Sequence, residues 1–504
     1  MRKKKLSTKI TRIAAAILVI SLLLPGCASD RALSPAATLP PASATPNPSP
    51  TATITASPTS TEPPASPTPT PSPSRGSTSA GDAYAPMLGN TGYDIRHYNL
   101  SLELDPARSY LAGKADIQAT SLVQHLVGLS LDFIGFEIDA LTVDAQQAAY
   151  TRSAEKLIIE LPEPLSLGQE FTLSITYQGT PTFTGSPYVP FLGHLGFYFI
   201  GQTHFFTLSE PDGARYWFPC NDHPTDKASY TFKITVPAGL TAAANGSLSS
   251  VDSTQADQTT FTWDHPYPMA TYLAVAAVGE YEVIETSSPA GIPIRHYVFS
   301  DLRPLFEQQA SITGEVLDWM SAQFGEYPFE SFGFVTTRLV SQASETQTRV
   351  ILPETMINEE TIVHEIAHMW FGDWVSLESW GDMWLKEGLA IYSYLMWQTR
   401  SDPAVLDAYM SNTTPLILDK SSNYPLGNLP PNLLLSYDSY WKGAAFQHAI
   451  RKQIGDETYL SALRSLIQEF GGSSVSRLEF QALLERVSGQ SLQALFEEWL
   501  DGSA

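Results

Sequence analysis

The hydrophobic period of this sequence changes near residue 290, and this change constrains the fold more than any other feature. Between about residues 90 and 290, apolar and polar residues alternate, with glycine, proline and aspartate between the alternating runs. Such a pattern is typical of antiparallel strands that have one face in water. The clearest runs are 98–104, 171–177 and 232–236. The sequence therefore predicts an N-terminal antiparallel β domain over residues 88–290.

Helix signals dominate the sequence after about residue 300. Asn358 precedes two glutamates and predicts a helix that ends near Gly372. Asp382 predicts a second helix that runs to about Arg400. Further helices are expected from Asp402-Pro403, from Tyr440 to Ile454, from Asp456, and from the capping box Ser476-x-x-Glu479. We therefore predict an α+β multidomain chain whose second domain, residues 291–504, is mainly helical.

Residues 1–26 have the pattern of a targeting segment. Six positively charged residues and no acidic residue precede an apolar run over residues 14–24. That run is too short to span a bilayer comfortably. It ends in Leu24-Pro25-Gly26-Cys27, which resembles a bacterial lipobox. We expect residues 1–26 to be a lipoprotein signal peptide and Cys27 to carry the lipid anchor, outside the cytoplasm in a bacterial cell envelope. An ordinary signal peptide with an incidental cysteine is the alternative.

Residues 27–87 should form a disordered spacer. Thirteen of the 37 prolines lie between Pro35 and Pro73, among serine, threonine and alanine. This composition cannot bury enough apolar surface to fold and favours an extended chain. The spacer would hold a folded body away from the membrane. If Cys27 is lipidated, the second cysteine, Cys220, has no intrachain partner and is expected to be a free thiol.

The charge of the chain excludes one class of partner. The chain has 29 lysine and arginine residues against 52 aspartate and glutamate residues, which gives a net charge of −23. So negative a protein repels phosphate, and nucleic-acid binding is not expected. The sequence shows no sign of an obligate protein partner.

The segment His364-Glu365-Ile366-Ala367-His368 is the strongest chemical signal in the chain. On a helix, His364 and His368 lie on one face, one turn apart, where both imidazoles can bind the same Zn²⁺. Glu387 follows on the next predicted helix, beyond the loop 372–381. If the two helices pack antiparallel, its carboxylate can reach the metal as the third protein ligand of a catalytic site. We therefore predict one Zn²⁺ per chain at His364, His368 and Glu387.

Residues 363–392 resemble the zinc site of the gluzincin aminopeptidases, the family of aminopeptidase N and leukotriene hydrolase. That family has the same histidine motif and, at the same spacing after it, a glutamate followed by glycine, as in this chain. The family asparagine before this glutamate is replaced by Lys386, and a family glutamate two helical turns after it is replaced by Tyr394. Neither change removes a ligand, but both alter the surroundings of the zinc site. The resemblance implies a thermolysin-like catalytic domain over residues 291–504.

The resemblance covers about residues 90–504. Residues 210–224 are similar to the Gln/Glu-Pro-x-x-Ala-Arg and Phe-Pro-Cys-x-Asp-Glu-Pro motifs of the family's β domain, from which Glu210 would reach the active site. The segment that begins at Tyr440 matches a Tyr-x-Lys-Gly motif whose tyrosine is catalytic in the family. The family's Gly-x-Met-Glu-Asn motif, which supplies a glutamate for the substrate amine, is represented here by Glu345 in a divergent segment. We expect the chain to lack the large C-terminal helical domain of bigger family members.

Together these residues predict a zinc-dependent aminopeptidase that hydrolyses the N-terminal peptide bond of peptides. Glu365 is the expected general base, and Tyr440 is the expected hydrogen-bond donor to the oxyanion. Glu345, with Glu210 beside it, would bind the α-ammonium group of substrates that have a free N-terminus.

Two other functions remain open from the sequence. A thermolysin-like endopeptidase shares the zinc motif, but the preceding β domain with its Pro-Cys-x-Asp-x-Pro segment disfavours it. A catalytically impaired surface binding protein of the same fold is expected to have lost a ligand, the base or the tyrosine, and this chain retains all of them.

Overall fold

A computed structural model of the chain describes residues 72–153, 155–181, 185–338 and 340–502. The predicted signal peptide, Cys27 and the spacer up to residue 71 lie outside these residues. Within the described ranges, none of the helices is both long enough and apolar enough to cross a membrane.

The β domain is built around a mixed sheet of eight strands. Across the sheet the strands follow the order Ser247–Asp252, Gln258–Met269, Ala228–Pro237, Tyr93–Asp105, Tyr110–Ser121, Glu170–Gly179, Glu137–Val143 and Gln146–Gln147. Neighbours are antiparallel except Ala228–Pro237 and Tyr93–Asp105, which are parallel. The predicted alternation is confirmed, since Leu102 and Leu104 are buried and Glu103 between them is exposed. One face of the sheet therefore packs against the core.

Two further sheets of four strands each complete the β domain. The first sheet contains Ser74–Arg75, Leu126–Asp132, Lys156–Leu165 and Ala149–Ser153. The second contains Gly196–Ile200, His204–Leu208, Ala276–Gly279 and Thr241–Ala244. Glu210 lies two residues after the strand His204–Leu208 of this second sheet and forms an ion pair with Lys386 of the catalytic domain.

The folded body begins earlier in the chain than the sequence predicts. Ser74–Arg75 pairs with a strand of the first small sheet, and Asp82 is buried. Asp82 accepts hydrogen bonds from Ser379 Oγ at 2.8 Å and from the Trp380 backbone nitrogen at 2.9 Å. Residues 72–87, predicted as part of the spacer, therefore belong to the folded body. Composition could not reveal this, because the partners of the segment lie far away in the sequence.

The catalytic domain has a four-stranded sheet of its own. Its strands are Tyr281–Ser287, Pro293–Phe299, Phe334–Thr337 and Val350–Pro353. The first two strands pair along their whole length, and the predicted domain boundary at residue 290 lies in the turn between them. The structure places the boundary near residue 280. Period-two alternation cannot separate the domains here, because strands of both domains have the same period.

The described part of the catalytic domain is otherwise mainly helical, as predicted. Its α-helices are α1 (Arg303–Ala310), α2 (Thr313–Phe324), α3 (Glu359–His368), α4 (Met383–Gln398), α5 (Pro403–Lys420), α6 (Gly443–Ile454), α7 (Asp456–Phe470), α8 (Arg477–Ser488) and α9 (Gln493–Phe496). Two π-helical segments, Asp438–Lys442 and Glu497–Asp501, precede α6 and follow α9. The short strands Ser376–Leu377 and Ser474–Val475 form a two-stranded parallel sheet.

The cap residues explain where two of these helices begin. At the start of α3, the Asn358 side chain accepts a hydrogen bond from the Thr361 backbone nitrogen at 3.0 Å. At the start of α8, Ser476 and Glu479 form the predicted capping box. Both arrangements satisfy backbone N–H groups that have no partner within the helix.

Helices α4 and α6 approach each other closely at two glycines. A Cβ atom on Gly388 would lie 2.6 Å from the backbone carbon of Gly443, and one on Gly443 would lie 2.8 Å from the Trp384 carbonyl oxygen. Such distances leave no space for a side chain at either position. Glu387 directly precedes Gly388, and Tyr440 lies one turn before Gly443. The contact therefore brings the tyrosine towards the glutamate.

The β domain holds the turn that follows α3. Lys227 Nζ donates to the backbone oxygens of Asp373, at 2.8 Å, and Trp374, at 3.0 Å. The Tyr272 hydroxyl donates to the Gly372 backbone oxygen at 3.2 Å. These contacts join the two domains immediately beside the histidines of α3.

Candidate metal centre

Three buried side chains from two helices converge on one point. The Nε2 atoms of His364 and His368, both on α3, are 3.0 Å apart. Oε2 of Glu387, on α4, lies 3.3 Å from the first of these nitrogens and 3.6 Å from the second. Ligands about 2.1 Å from a tetrahedral Zn²⁺ are about 3.4 Å apart. The three atoms therefore have the spacing that one Zn²⁺ requires.

A backbone contact orients one of the two imidazoles. His368 Nδ1 lies 2.9 Å from the Phe371 carbonyl oxygen. A carbonyl can only accept, so Nδ1 carries the proton and Nε2 keeps its lone pair for a metal. His364 Nδ1 is buried and has no hydrogen-bond partner among the described residues. The orientation of His364 depends instead on packing, since its ring stacks on Tyr440 at a centroid distance of 5.8 Å.

The surroundings of the ligands favour positive charge at this point. Burial alone would lower the pKa of His368, but the nearby carboxylates, Glu387 foremost, raise the pKa to about 10. Burial lowers the pKa of His364. Burial opposes ionisation of Glu387 as well, yet Lys386 and His368 hold the pKa of its carboxyl well below the usual value. A cation bound between these three side chains would therefore be well compensated.

Glu365 lies between the histidines in sequence and is also buried. Its Oε2 atom has no hydrogen-bond partner among the described residues. Burial raises the pKa of this carboxyl well above its usual value. A carboxylate that is short of partners and hard to ionise is suited to accept a proton.

Tyr440 covers the centre from the π-helical segment Asp438–Lys442. Its ring lies nearly parallel to the His364 ring, with an interplanar angle of 21°. Burial raises the pKa of the phenol well above its usual value. The hydroxyl therefore stays protonated at neutral pH and can donate a hydrogen bond.

Two further carboxylates lie beside the three candidate metal ligands. Oxygen atoms of Glu210, Glu345 and Glu387 are all within 4.8 Å of one another. Glu210 comes from the β domain and Glu345 from the loop between the strands Phe334–Thr337 and Val350–Pro353. Lys386 forms ion pairs with all three, at 3.0 Å in the case of Glu387 Oε1.

The charges of this group depend on one another. Burial and the negative charge of Glu345 raise the pKa of Glu210 to about 8. Burial would also raise the pKa of Glu345, but the Lys386 ammonium outweighs burial and lowers this pKa. The side chain of Lys386 is 1% exposed, and its ammonium lies 5.6 Å from the centre of the Tyr272 ring.

All seven predicted residues of the folded body meet in this region. They are Glu210, Glu345, His364, Glu365, His368, Glu387 and Tyr440. The predicted lipidation residue, Cys27, lies outside the described residues. The other cysteine, Cys220, is a buried free thiol outside the centre, and burial raises its pKa well above the usual value.

Sequence reasoning missed two members of the centre. The sequence identifies Lys386 only as a departure from the family asparagine, although its position next to Glu387 is a signal that it could contact the ligand. Asp373 is fully buried, and neither of its carboxylate oxygens has a hydrogen-bond partner among the described residues. Burial raises the pKa of Asp373 well above the usual value. The sequence around it carries no signal of burial, because aspartate after glycine is typical of an exposed turn.

Two family models match the chain. One, described as the Peptidase M1 N-terminal domain, matches residues 95–273. The other, described as the Peptidase family M1 domain, matches residues 318–499. The two matches correspond to the β domain and to most of the catalytic domain.

Solved structures and curated sequences agree with these matches. A two-domain M1 zinc metallopeptidase bound to L-tryptophan is 30% identical, with a TM-score of 0.77, and the alignment covers 84% of this chain and 97% of that one. An M1 zinc metallopeptidase from Deinococcus radiodurans, bound to a Tyr-Ser-Ala substrate, is 28% identical, with a TM-score of 0.76 and coverages of 84% and 98%.

Among curated sequences, human glutamyl aminopeptidase is 26% identical over 334 residues. Aminopeptidase 2 of Candida albicans is 25% identical over 354 residues. The match spans 58% of this chain and 33% of the human protein, and 62% of this chain and 38% of the fungal one. The chain therefore spans little more than a third of the length of these relatives.

Proposed function

The chain belongs to peptidase family M1, and from this premise we propose that it is a zinc-dependent aminopeptidase that hydrolyses the N-terminal bond of peptides outside the cytoplasm. The observation that carries the proposal is the convergence of three metal-binding atoms with a base, a hydroxyl donor and two additional carboxylates. Each of these parts has a separate chemical task.

His364, His368 and Glu387 hold the Zn²⁺. When bound, the ion polarises the scissile carbonyl and lowers the pKa of a water molecule. Glu365 takes a proton from the attacking water and passes it to the leaving amine. Tyr440 donates a hydrogen bond to the oxygen that becomes negative during the attack, where a preorganised donor is most effective.

Glu345 and Glu210 bind the α-ammonium group of the substrate. They lie next to the metal ligands on the side of Glu387, so a peptide held there has its first carbonyl near the metal position. A carboxylate at this place also leaves no room for a residue before the N-terminus. Recognition of a free chain end is consistent with the tripeptide and the amino acids bound by the related metallopeptidases.

Peptides with free and acetylated N-termini test this function. Purified protein loaded with Zn²⁺ is incubated with matched pairs that differ only in the acetyl group. We expect cleavage of the free peptides, one residue at a time, and no cleavage of the acetylated ones. Equal cleavage of both would indicate an endopeptidase. Cleavage of neither, with zinc bound, would indicate a binding protein that retains the fold.

Replacement of Glu345 identifies the amine-binding group. A charge-assisted contact of this kind is worth about 2–3 kcal/mol. Glu345→Ala should therefore lower kcat/KM on free peptides by roughly 30- to 150-fold. Unchanged kcat/KM would move the assignment to Glu210, which can be tested in the same way.

The proposed location rests on the N-terminal sequence. The basic segment, the apolar run and Cys27 support a lipid anchor in a bacterial cell envelope. Cys27→Ala should shift the protein from the membrane fraction to the soluble fraction, because the acidic body offers no other attraction to anionic lipid. A variant that stays with the membrane would contradict the anchor.

A further inference from the structure

Glu345 is followed directly by a buried turn, residues 346–349. The backbone nitrogen of the last residue of this turn donates to the carbonyl oxygen of the first at 2.9 Å. Each of the four residues is at most 1% exposed. On the other side of Glu345, the backbone of Ser344 pairs with that of Ile351 in an antiparallel bridge. The place of the Glu345 carboxylate therefore depends on how the turn 346–349 is held.

The turn 346–349 binds the β domain at residues 244–246, a corner that connects two strands of that domain. Thr348 Oγ1 accepts a hydrogen bond from the Gly246 backbone nitrogen at 2.8 Å. The Asn245 side chain donates to the Gln347 carbonyl oxygen at 2.7 Å. Two hydrogen bonds thus connect this loop of the catalytic domain to the other domain.

Arg349 adds a third connection to the same corner. Its guanidinium donates to the backbone oxygens of Ala244, at 3.3 Å, and Gly246, at 3.0 Å, and also to that of Arg295 in the catalytic domain. The group lies 5.2 Å from the centre of the Trp263 ring of the β domain. A buried guanidinium is stable only where its donors find acceptors. Arg349 therefore holds the corner and the catalytic sheet together.

The backbone of Thr348 is strained in this arrangement. Its φ of 65° lies in the left-handed region, which a β-branched residue rarely adopts. Such a conformation persists only where the surrounding contacts impose it, and it is concentrated at functional sites. The hydrogen bond from Gly246 is a contact of this kind, since it holds the Thr348 side chain against the corner.

The attachment of the turn bears on the site because the two additional carboxylates come from different domains. Glu210 belongs to the β domain and Glu345 to the catalytic domain, yet their carboxylate oxygens lie within 4.8 Å of each other. A movement of the turn 346–349 relative to the corner would change this distance.

We propose that Thr348 and Arg349 are positioning residues that hold the Glu345 carboxylate beside Glu210 and thereby set the affinity for the α-ammonium group of the substrate. The inference rests on the proposed aminopeptidase function. Neither residue touches the substrate, and both act through the turn that follows Glu345.

Two variants of Thr348 form a matched pair that tests this role. Thr348→Val keeps the branched shape and loses the hydrogen-bond acceptor, whereas Thr348→Ser keeps the acceptor. On a peptide with a free N-terminus, Thr348→Val should raise KM by roughly 5- to 30-fold with little change in kcat, because the ammonium contact is the same before and during the reaction. Thr348→Ser should stay close to wild type. An unchanged KM in Thr348→Val, or an equal rise in both variants, would overturn the proposal.

A double variant separates positioning from a general loss of structure. In the Glu345→Ala background, Thr348→Val should change kcat/KM by less than about twofold, since the carboxylate through which Thr348 acts is absent. An undiminished effect there would overturn the proposal. Asp82→Asn, which weakens a contact between the domains elsewhere, should leave KM as in the wild type. If Thr348→Val does not fold, judged by circular dichroism, Arg349→Lys is measured with the same expectations, because an ammonium cannot reach all three carbonyls.

The wild type and the single variant Glu345→Ala show which proposal fails. A wild type that cleaves no peptide, or a Glu345→Ala variant with unchanged kcat/KM, would contradict amine recognition by Glu345 and this inference with it. A clear loss in Glu345→Ala together with a normal KM in Thr348→Val would overturn this inference alone.

Discussion

Each buried carboxylate of the centre has a different set of partners, and the partners indicate its task. Both oxygens of Glu387 face positive or metal-binding groups, so this residue is held as an anion. Glu365 has one buried oxygen without a hydrogen-bond partner among the described residues, and burial raises its pKa well above the usual value. The first arrangement suits a ligand, and the second suits a group that gains and loses a proton.

Glu365→Gln should therefore separate metal binding from catalysis. The change removes no ligand, and the amide has nearly the same shape as the carboxyl. Zinc content should stay as in the wild type, and kcat should fall by about 10²–10⁴, the usual effect of losing a general base. Metal analysis and steady-state kinetics on an aminoacyl amide measure both. Turnover close to wild type would contradict the role of Glu365 as the base.

Tyr440→Phe should affect the reaction more than substrate binding. The ring can keep its stacking on His364, and only the hydroxyl donor is lost. Because this hydrogen bond forms to a charge that develops in the transition state, kcat should fall by roughly 10²–10³ with little change in KM. A loss confined to KM would instead assign Tyr440 to substrate packing.

Residue types and spacing were sufficient to predict that the three proposed metal ligands meet, because His364 and His368 lie on one helical face and Glu387 lies on the next helix. Lys386 shows the limit of this reasoning. Its partners Glu210 and Glu345 come from distant parts of the chain, and a single sequence does not state which distant residues meet. Burial of Lys386 follows only from the packing of both domains around it.

Among the elements of the fold, the pair α4 and α6 connects packing directly to the site. The helices touch through backbone atoms at Gly388 and Gly443. This contact sets the distance between the proposed metal ligand Glu387 on α4 and the segment that carries Tyr440. A shift of one helix therefore changes the site as well as the packing.

The variant Gly388→Ala tests this contact, because a tight contact and an unhindered helix predict opposite signs for the change in the free energy of unfolding. In an unhindered helix, glycine to alanine stabilises by roughly 1 kcal/mol. Here the new Cβ atom would lie 2.6 Å from the backbone of Gly443, and backbone atoms cannot move aside easily. We expect a loss of about 1–3 kcal/mol in the free energy of unfolding, measured by denaturant titration, together with a lower kcat. A stabilised variant would show that the helices can separate without cost.

The cap signals located the starts of these helices correctly. They were less successful in identifying the side chain that makes the cap hydrogen bond. Asn358 and Ser476 form the expected cap bonds. Asp382 occupies the N-cap position of α4 but makes no cap hydrogen bond. Its carboxylate accepts instead from Trp384 Nε1 at 3.3 Å and from the Arg477 backbone nitrogen at 3.4 Å. The Asp382 carboxylate thus bonds to groups brought near by the tertiary fold and does not make the N-cap hydrogen bond that the sequence pattern suggests.

Across the whole molecule, Asp82 joins the first folded residues to both domains. It accepts from Ser379 and Trp380 of the catalytic domain, and it lies 3.4 Å from His223 of the β domain. Although burial opposes ionisation, these hydrogen bonds lower the pKa of Asp82 to about 2. The carboxylate is therefore ionised at neutral pH and connects three parts of the chain.

Two truncated chains should distinguish spacer from folded body. A protein that begins at residue 72 should have the same thermal unfolding midpoint as one with the preceding residues. A protein that begins at residue 88 loses Asp82 and the strand Ser74–Arg75, and should unfold at a lower temperature, since it leaves buried partners without hydrogen bonds. Equal midpoints for both would mean that residues 72–87 add nothing to stability. Asp82→Asn in the longer protein should reproduce part of the loss.

The two-domain plan could be predicted from the period of the sequence, because period-two alternation and helix signals occupy separate stretches. The residues at which the domains begin and end could not be predicted from this period. The sheet of the catalytic domain begins with Tyr281–Ser287, which has the same period as the β domain before it, and residues 72–87 look like the spacer before them. Both errors arise where local composition is shared and only distant pairing differs.

The attachment of residues 72–87 also determines how the protein responds to force. Tension on the chain before residue 72 enters the folded body at Ser74–Arg75 and is carried next by the hydrogen bonds of Asp82. Helices α3 and α4 begin much further along the chain, at Glu359 and Met383. Ser379 and Trp380 nevertheless directly precede α4, so the hydrogen bonds of Asp82 carry the load to the start of the helix that holds Glu387. Rupture of these bonds should release residues 72–87 and end the tension on that helix.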